Sequence, residues 1–113
     1  MIDSYSFGRI KIDGELYQQD VIVFPHKVHS GWRRRQGHRL AVEDLKPVLS
    51  FQPDLLVVGT GAQRLMDVPQ SVITKLEQQN IQVETAATPQ AIEKFNQYLQ
   101  QQKRAAAALH LTC

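Results

Sequence analysis

The sequence contains a single cysteine, Cys113, and no apolar run that approaches the ~20 residues of a membrane-spanning helix. One cysteine excludes an internal disulfide, so we expect a chain that folds on its hydrophobic core in a reducing compartment. The N-terminus lacks the basic and apolar regions of a secretory signal. We therefore expect a cytoplasmic protein with no membrane span.

Net charge is small, and the positive charge is concentrated in one segment. The chain carries 13 Lys and Arg against 11 Asp and Glu, for a net charge of +2. Residues 26–39, called the basic segment below, include Lys27 and four arginines, no acidic residue, and most of the histidines. A positive field confined to one segment favours an anionic or protein partner there. The low total charge makes nucleic acid an unlikely partner.

The first part of the chain has the pattern of a β-hairpin. Asp13 and Gly14 supply the positive φ angles of a tight type I′ turn. Residues 7–12 alternate partly between apolar and polar side chains, and the return arm, 15–24, ends in a β-branched apolar run. Two glycines interrupt the basic segment, which favours a loop or a short irregular edge strand there.

The second part of the chain alternates between strand and helix patterns. The apolar run 55–58 indicates a central strand buried on both faces. Thr88 and Pro89 indicate a helix start, with Thr88 as the N-cap. A helix over 42–51 contains Pro47, so it should be short or begin late. The other predicted elements are a helix over 69–79, a strand over 81–85 and a terminal strand over 105–111, where the alanines also permit continued helix.

Together these patterns predict the α/β class. We expect a single domain over residues 1–113 with a mixed central sheet, an N-terminal β-hairpin and a C-terminal β-α-β-α-β half. Strands that alternate with helices run parallel and are joined by right-handed crossovers, whereas hairpin strands are antiparallel. The chain shows no internal repeat and no linker, so both halves should share one core.

A glycine-containing loop follows the predicted central strand. Gly59, Thr60 and Gly61 would allow backbone N–H groups to approach a phosphate, with Arg64 as a cationic partner. The dinucleotide fingerprint requires a glycine or alanine where Arg64 stands, and the phosphate-loop pattern Gly-Lys-Ser/Thr does not occur. The alternative is a structural turn that leaves a crowded strand.

The sequence contains no recognisable catalytic or metal-binding set. His26, His29 and His38 resemble metal ligands, but His26 and His29 would point to opposite faces of a strand, and no cysteine or carboxylate cluster completes them. Ser30 beside His29 does not by itself create a catalytic triad. We therefore expect no metal site, no cofactor and, on balance, no enzymatic activity.

The main candidate for a functional surface is the tryptophan among the arginines of the basic segment. An aromatic side chain in such a setting stacks on bases or anchors a protein interface. The alternatives are a solvated basic loop, or a tryptophan buried in the core at the end of the sheet. The candidate binding residues are Trp32, Arg33, Arg34, Arg35, His38 and Arg39.

Several motifs, taken in order, identify a family resemblance. They are Ser6-Phe7-Gly8 with its hairpin, the Trp32 segment up to Gly37-His38, the run from Asp54 to Gly61, Thr88-Pro89, and the run from Ala106 to Leu109. This order resembles a small α/β family of unknown function first seen in an archaeal structural-genomics protein. Its animal relatives include an adipogenesis-associated protein and a mitochondrial respiratory complex I assembly factor.

The resemblance implies a mixed central sheet and an assembly or regulatory role, with no established active site. The run from Arg33 to Arg35 departs from the general family pattern, which would make a basic surface a feature of this branch. We therefore expect a non-enzymatic protein-interaction or assembly-factor-like module that acts on a protein partner or by self-association. Two rivals stay open: a small-molecule or anion-binding protein, conceivably an enzyme, using Gly59 to Gly61, and a weak polyanion or nucleic-acid binder using Trp32 to Arg39.

Overall fold

The computed structural model describes residues 1–113, which form eight strands and three α-helices. The strands are β1 (Ile2–Ser6), β2 (Arg9–Ile12), β3 (Glu15–Tyr17), β4 (Val21–Phe24), β5 (Lys27–Ser30), β6 (Leu55–Gly59), β7 (Gln82–Ala86) and β8 (Ala105–Leu109). The helices are α1 (Lys46–Phe51), α2 (Gln70–Gln78) and α3 (Thr88–Gln100), and a 3-10 turn (Val42–Leu45) precedes α1. None of the helices has the length and apolar character that crossing a bilayer requires.

The central sheet has five strands in the order β5-β4-β8-β6-β7. β6 runs parallel to both β7 and β8, while β4 runs antiparallel to β8 and β5. The predicted mixed sheet and the predicted β-α-β-α-β half are confirmed. Residues 105–109 form the middle strand of this sheet with every residue buried, so the strand alternative for this alanine-rich segment is correct.

The N-terminal hairpin forms as predicted, but it belongs to a second sheet. Asp13 and Gly14 have φ angles of 48° and 86° and join β2 to β3, and β1 completes a three-stranded antiparallel sheet. The prediction that the return arm continues to Phe24 is wrong, because the arm ends at Tyr17. The chain leaves this sheet after Tyr17 since β4 obtains its hydrogen bonds from β8 and β5 instead.

Hydrophobic residues cover both faces of the central sheet. On one face α3 and the three-stranded sheet bury a cluster that includes Ile10 and Phe95. On the other face the cluster includes Leu45, Leu76 and the basic segment's Trp32. The hairpin therefore shares a core with the crossover half, as expected from the absence of a linker.

One helix start agrees with the sequence prediction of a short or late helix, and another differs from its prediction. The segment 42–51 begins as a 3-10 turn, and α1 starts only at Lys46, which places Pro47 in its first turn where proline is tolerated. The predicted capping role of Thr88 is wrong: Ala87 is the N-cap of α3 and Thr88 is the first helical residue. The Thr88 hydroxyl donates instead to the carbonyl oxygen of His110.

Candidate functional site

The basic segment begins with the edge strand β5, and the residues after that strand are attached to the core by Trp32. This side chain is only 4% exposed, and its indole Nε1 donates to the carbonyl oxygen of Asp44 at 2.9 Å. The Asp44 carboxylate in turn accepts hydrogen bonds from the backbone N–H groups of Arg35 and Ala41. Trp32 therefore lies in the core, which is the alternative that the sequence left open, and it holds the segment in one conformation.

Within the basic segment the Arg34 side chain is buried, whereas Arg33 and Arg35 on either side of it are exposed. Its guanidinium carbon lies 4.6 Å from the centre of the Trp32 ring, a cation–π contact, and its side chain is 4% exposed. Its Nε donates to the carbonyl oxygen of Gly37 at 3.0 Å, and its Nη2 donates to Asp20 Oδ2 at 2.8 Å. Arg34 thus joins the basic segment to the connection between β3 and β4.

Asp20 and Arg34 form a buried ion pair at the end of the sheet, and His110 contacts both; these three residues are called the buried ion cluster below. Asp20 Oδ2 lies 2.8 Å from His110 Nδ1, and Asp20 Oδ1 accepts the backbone N–H of Leu111 at 2.7 Å. Because β4 begins opposite the end of β8, with Val21 paired to Leu109, the residues just outside these strands meet. The sequence analysis missed both Asp20 and His110.

Hydrogen bonding holds Asp20 in its ionised form. Burial raises the pKa of the Asp20 carboxyl, but the hydrogen bonds from His110 and its other two donors outweigh burial. The pKa of Asp20 consequently lies below its ordinary value of 3.8. The carboxylate therefore balances the charge of the buried Arg34 at neutral pH.

The remaining arginines of the segment point to solvent. Arg39 is paired with Asp67 at 3.3 Å in an exposed salt bridge. Arg33 and Arg35 are exposed, and their guanidinium groups make no salt bridge and no side-chain hydrogen bond. The side chains of three successive arginines thus alternate between exposed and buried. Arg33 and Arg35 are two unpaired cations on a backbone that Trp32 and Asp44 hold in place.

The loop Gly59 to Gly61 is filled by the chain itself. Its backbone N–H groups are bonded within the protein: Thr60 to Ala86, and Gly61 to the Thr88 hydroxyl. Next along the loop, Ala62 donates to the carbonyl oxygen of Thr112, and Gln63 and Leu65 donate to that of Cys113. Arg64 is exposed, with a φ angle of +59°. Residues 112–113 therefore occupy the N–H groups that follow Gly61, where the sequence analysis considered an anion.

Close packing explains both glycines of this loop. A Cβ atom at Gly59 would lie 2.9 Å from Leu109 Cδ2, and one at Gly61 would lie 2.2 Å from the backbone carbon of Cys113. Gly61 also has a φ angle of +107°, which L side chains rarely adopt. The glycines allow β8 and the C-terminal residues to pass against the loop.

The histidines of the basic segment do not act as a group. His38 lies beside His110, with ring centroids 5.7 Å apart, and its ligand atom falls within 4.8 Å of those of His110 and Cys113. His26 and His29 are exposed and belong to no such group. The residues that could hold a metal are therefore His38 with His110 and Cys113, a set that the sequence analysis did not assemble.

One surface cavity lies away from these residues. It measures about 650 Å³, surrounds Phe24 and Phe51, and contains His26 but none of the predicted site residues. The chemistry of this end of the sheet thus consists of two exposed arginines held over a buried ion cluster, with His38 and Cys113 at its margin.

Comparison with known proteins places this arrangement in a family. Residues 2–110 match the family model described as "Protein of unknown function (DUF498/DUF598)". The chain is 33% identical over 110 residues to the NADH dehydrogenase (ubiquinone) 1 alpha subcomplex assembly factor 3 of Danio rerio. That match covers 96% of this chain but only 62% of the zebrafish protein.

Solved structures show the same fold. The conserved hypothetical protein PH1505 from Pyrococcus horikoshii OT3 is 27% identical, with a TM-score of 0.82 over 100% of this chain and 99% of that one. The Rpa2829 protein from Rhodopseudomonas palustris is 28% identical, with a TM-score of 0.76 over 96% of this chain and 81% of that one. The chain belongs to the DUF498/DUF598 family of proteins of unknown function.

Proposed function

We propose that this protein is a protein-interaction module of the assembly-factor kind, which binds an acidic protein surface through Arg33 and Arg35. The observation that carries the proposal is the exposure of two unpaired guanidinium groups on a rigidly held backbone. A surface whose backbone is already ordered loses less conformational entropy on binding. Arginine is also among the residues enriched at protein interfaces.

The zebrafish relative supports this role by its name, which describes an assembly factor. That name describes the whole zebrafish protein, whereas the present chain spans 62% of its length. Here the comparable role is proposed for the cytoplasm, because a single unpaired cysteine suits a reducing compartment.

Charge distribution argues for an acidic partner rather than a second copy. Two copies that met through the same patch would bring Arg33 and Arg35 of each copy together, which like-charge repulsion opposes. An acidic surface would instead pair with both guanidinium groups, since each can engage a carboxylate through two hydrogen bonds.

The experiment compares two charge-matched double variants as bait for proteins of the native cell. Arg33→Ala with Arg35→Ala removes the proposed contacts, and Arg9→Ala with Lys75→Ala removes two exposed, unpaired cations elsewhere. Both variants should stay within about 0.5 kcal/mol of wild-type stability, because surface substitutions rarely cost more. Trp32 is left intact because its burial makes any substitution a test of folding.

We expect a protein that wild type and the Arg9/Lys75 variant retain equally and that the Arg33/Arg35 variant loses. With the isolated partner, affinity should fall roughly tenfold or more per arginine. Equal retention by all three baits, or equal loss by both variants, contradicts the proposal. Retention of nucleic acid instead, with affinity that collapses at moderate salt, would replace it with the polyanion interpretation.

A further inference from the structure

Three potential metal ligands meet at the buried ion cluster, one from the basic segment and two from the residues that follow β8. His38 comes from the basic segment, His110 follows β8, and Cys113 lies three residues later. One ligand atom of each lies within 4.8 Å of the other two. Ligand atoms around a tetrahedral zinc ion lie roughly 3.4–3.8 Å apart. His38 is exposed and Cys113 is partly exposed, so packing in the core does not fix either side chain at its present distance.

His110 has a nitrogen atom that nothing in the protein satisfies. His110 Nδ1 is engaged within the protein, since it lies 2.8 Å from Asp20 Oδ2 and 3.1 Å from Arg34 Nη2. The Nε2 atom is instead buried without a hydrogen-bond partner, in a residue only 6% exposed. An unpartnered buried nitrogen atom of this kind calls for a ligand, and the tautomer with its proton on Nδ1 offers the lone pair of Nε2 to one.

The contact between the Asp20 carboxylate and His110 Nδ1 resembles the carboxylate–histidine contacts that support metal-binding histidines. Histidines that bind metals almost always donate their other ring N–H to a carboxylate, carbonyl or water, which fixes the ring and raises its basicity. Asp20 is itself held by Leu111 and Arg34, so the imidazole is oriented by a rigid support.

Local charge is compatible with a cation at this position. Arg34 Nη2 lies 3.1 Å from His110 Nδ1, but its charge is matched by Asp20 at 2.8 Å. The two groups offset each other on the Nδ1 side of the ring. Deprotonation of Cys113 on metal binding supplies the anionic ligand that a divalent ion favours.

We propose that His38, His110 and Cys113 form a three-ligand site for a divalent transition-metal ion, with Zn²⁺ as its natural occupant. Two imidazole nitrogens and one thiolate are a donor set that zinc accepts, whereas magnesium and calcium require oxygen ligands. Three protein ligands leave the fourth tetrahedral position for water or for a side chain of a partner protein. The site is independent of the exposed arginines and of the protein-interaction role.

The test titrates the full chain, free of any histidine tag and kept reduced by a phosphine, with Zn²⁺ by calorimetry and with Co²⁺ by absorption spectroscopy. The ligand variants are His38→Ala and Cys113→Ser, which alter exposed or partly exposed side chains and leave the buried His110 in place. The matched control is His26→Ala with His29→Ala, which removes two exposed histidines outside the cluster.

We expect one ion per chain for wild type and for the His26/His29 control. Each ligand variant should bind at least roughly tenfold more weakly, since even loss of an outer-shell partner costs about 10- to 100-fold. The thiolate-to-cobalt charge-transfer band should vanish in Cys113→Ser. Substoichiometric binding by wild type, unchanged affinity in the ligand variants, or equal weakening in the control overturns the proposal.

Discussion

Replacement of Asp20 by asparagine isolates the contribution of the buried ion cluster to stability. Asparagine preserves the shape of the side chain and one oxygen, which can still accept the N–H of Leu111. It replaces the second oxygen by an amide group that cannot accept from Arg34 or His110. The guanidinium of Arg34 then remains buried without a counter-charge.

The expected cost follows from burial. Loss of one partner of a buried ion pair destabilises by ~3–5 kcal/mol. Because the Asp20 side chain is 15% exposed, we expect a value at the lower end, about 3 kcal/mol. With an unfolding entropy of ~2.1 cal/mol/K per residue, this lowers the melting temperature by about 13 °C.

The control is Asp67→Asn, which removes an ion pair of the same type from the surface. Arg39 and Asp67 are 57% and 62% exposed, so their pairing contributes less than about 1 kcal/mol. Urea denaturation and calorimetry of the two variants measure the difference directly. If both substitutions lower the melting temperature by the same amount, the cluster does not anchor the basic segment and the reasoning fails.

Two further predictions concern pH and the Gly61 loop. Because the pKa of Asp20 is lower in the folded chain than its ordinary 3.8, its stabilisation is fully present above about pH 5 and is lost as the pH falls through the folded pKa. Urea titrations should show the gap between wild type and Asp20→Asn shrinking below about pH 4, and a constant gap contradicts this. Gly61→Ala should destabilise by about 2 kcal/mol or more, since its Cβ meets the Cys113 backbone. Gly14→Ala, with similar φ but open space, should cost about half as much by calorimetry, and equal costs would exclude the steric effect.

Local patterns in the sequence were sufficient to predict most of the fold. The turn at Asp13 and Gly14, the apolar run in β6 and the proline that opens α3 each identify an element from its immediate neighbours. The break after Tyr17 has no such local signature. It follows from β4 pairing with β8, a contact between strands from the two ends of the chain, with Val21 opposite Leu109.

The same long-range pairing explains why the candidate site was only partly predicted. Asp20 and His110 are 90 residues apart, and only the antiparallel register of β4 and β8 brings them together. A prediction that β4 pairs with β8 would have revealed the cluster, because the residues that flank Val21 and Leu109 are then neighbours in space. The burial of Trp32 and Arg34 likewise depends on long-range packing, whereas the exposure of Arg33 and Arg35 is compatible with both the binding surface and the solvated loop that the sequence left open.

The position of β8 has a consequence for the order in which this protein can be made. The middle strand of the central sheet comes from residues 105–109, later in the chain than all four of its companions. A ribosome-bound chain that lacks them can form the β4-β5 hairpin and the β6-β7 pair, but not the sheet between them. Until translation reaches the alanines, the edges of β4 and β6 are open to pairing with other nascent chains. The central sheet can therefore close only after residues 105–109 have left the ribosome.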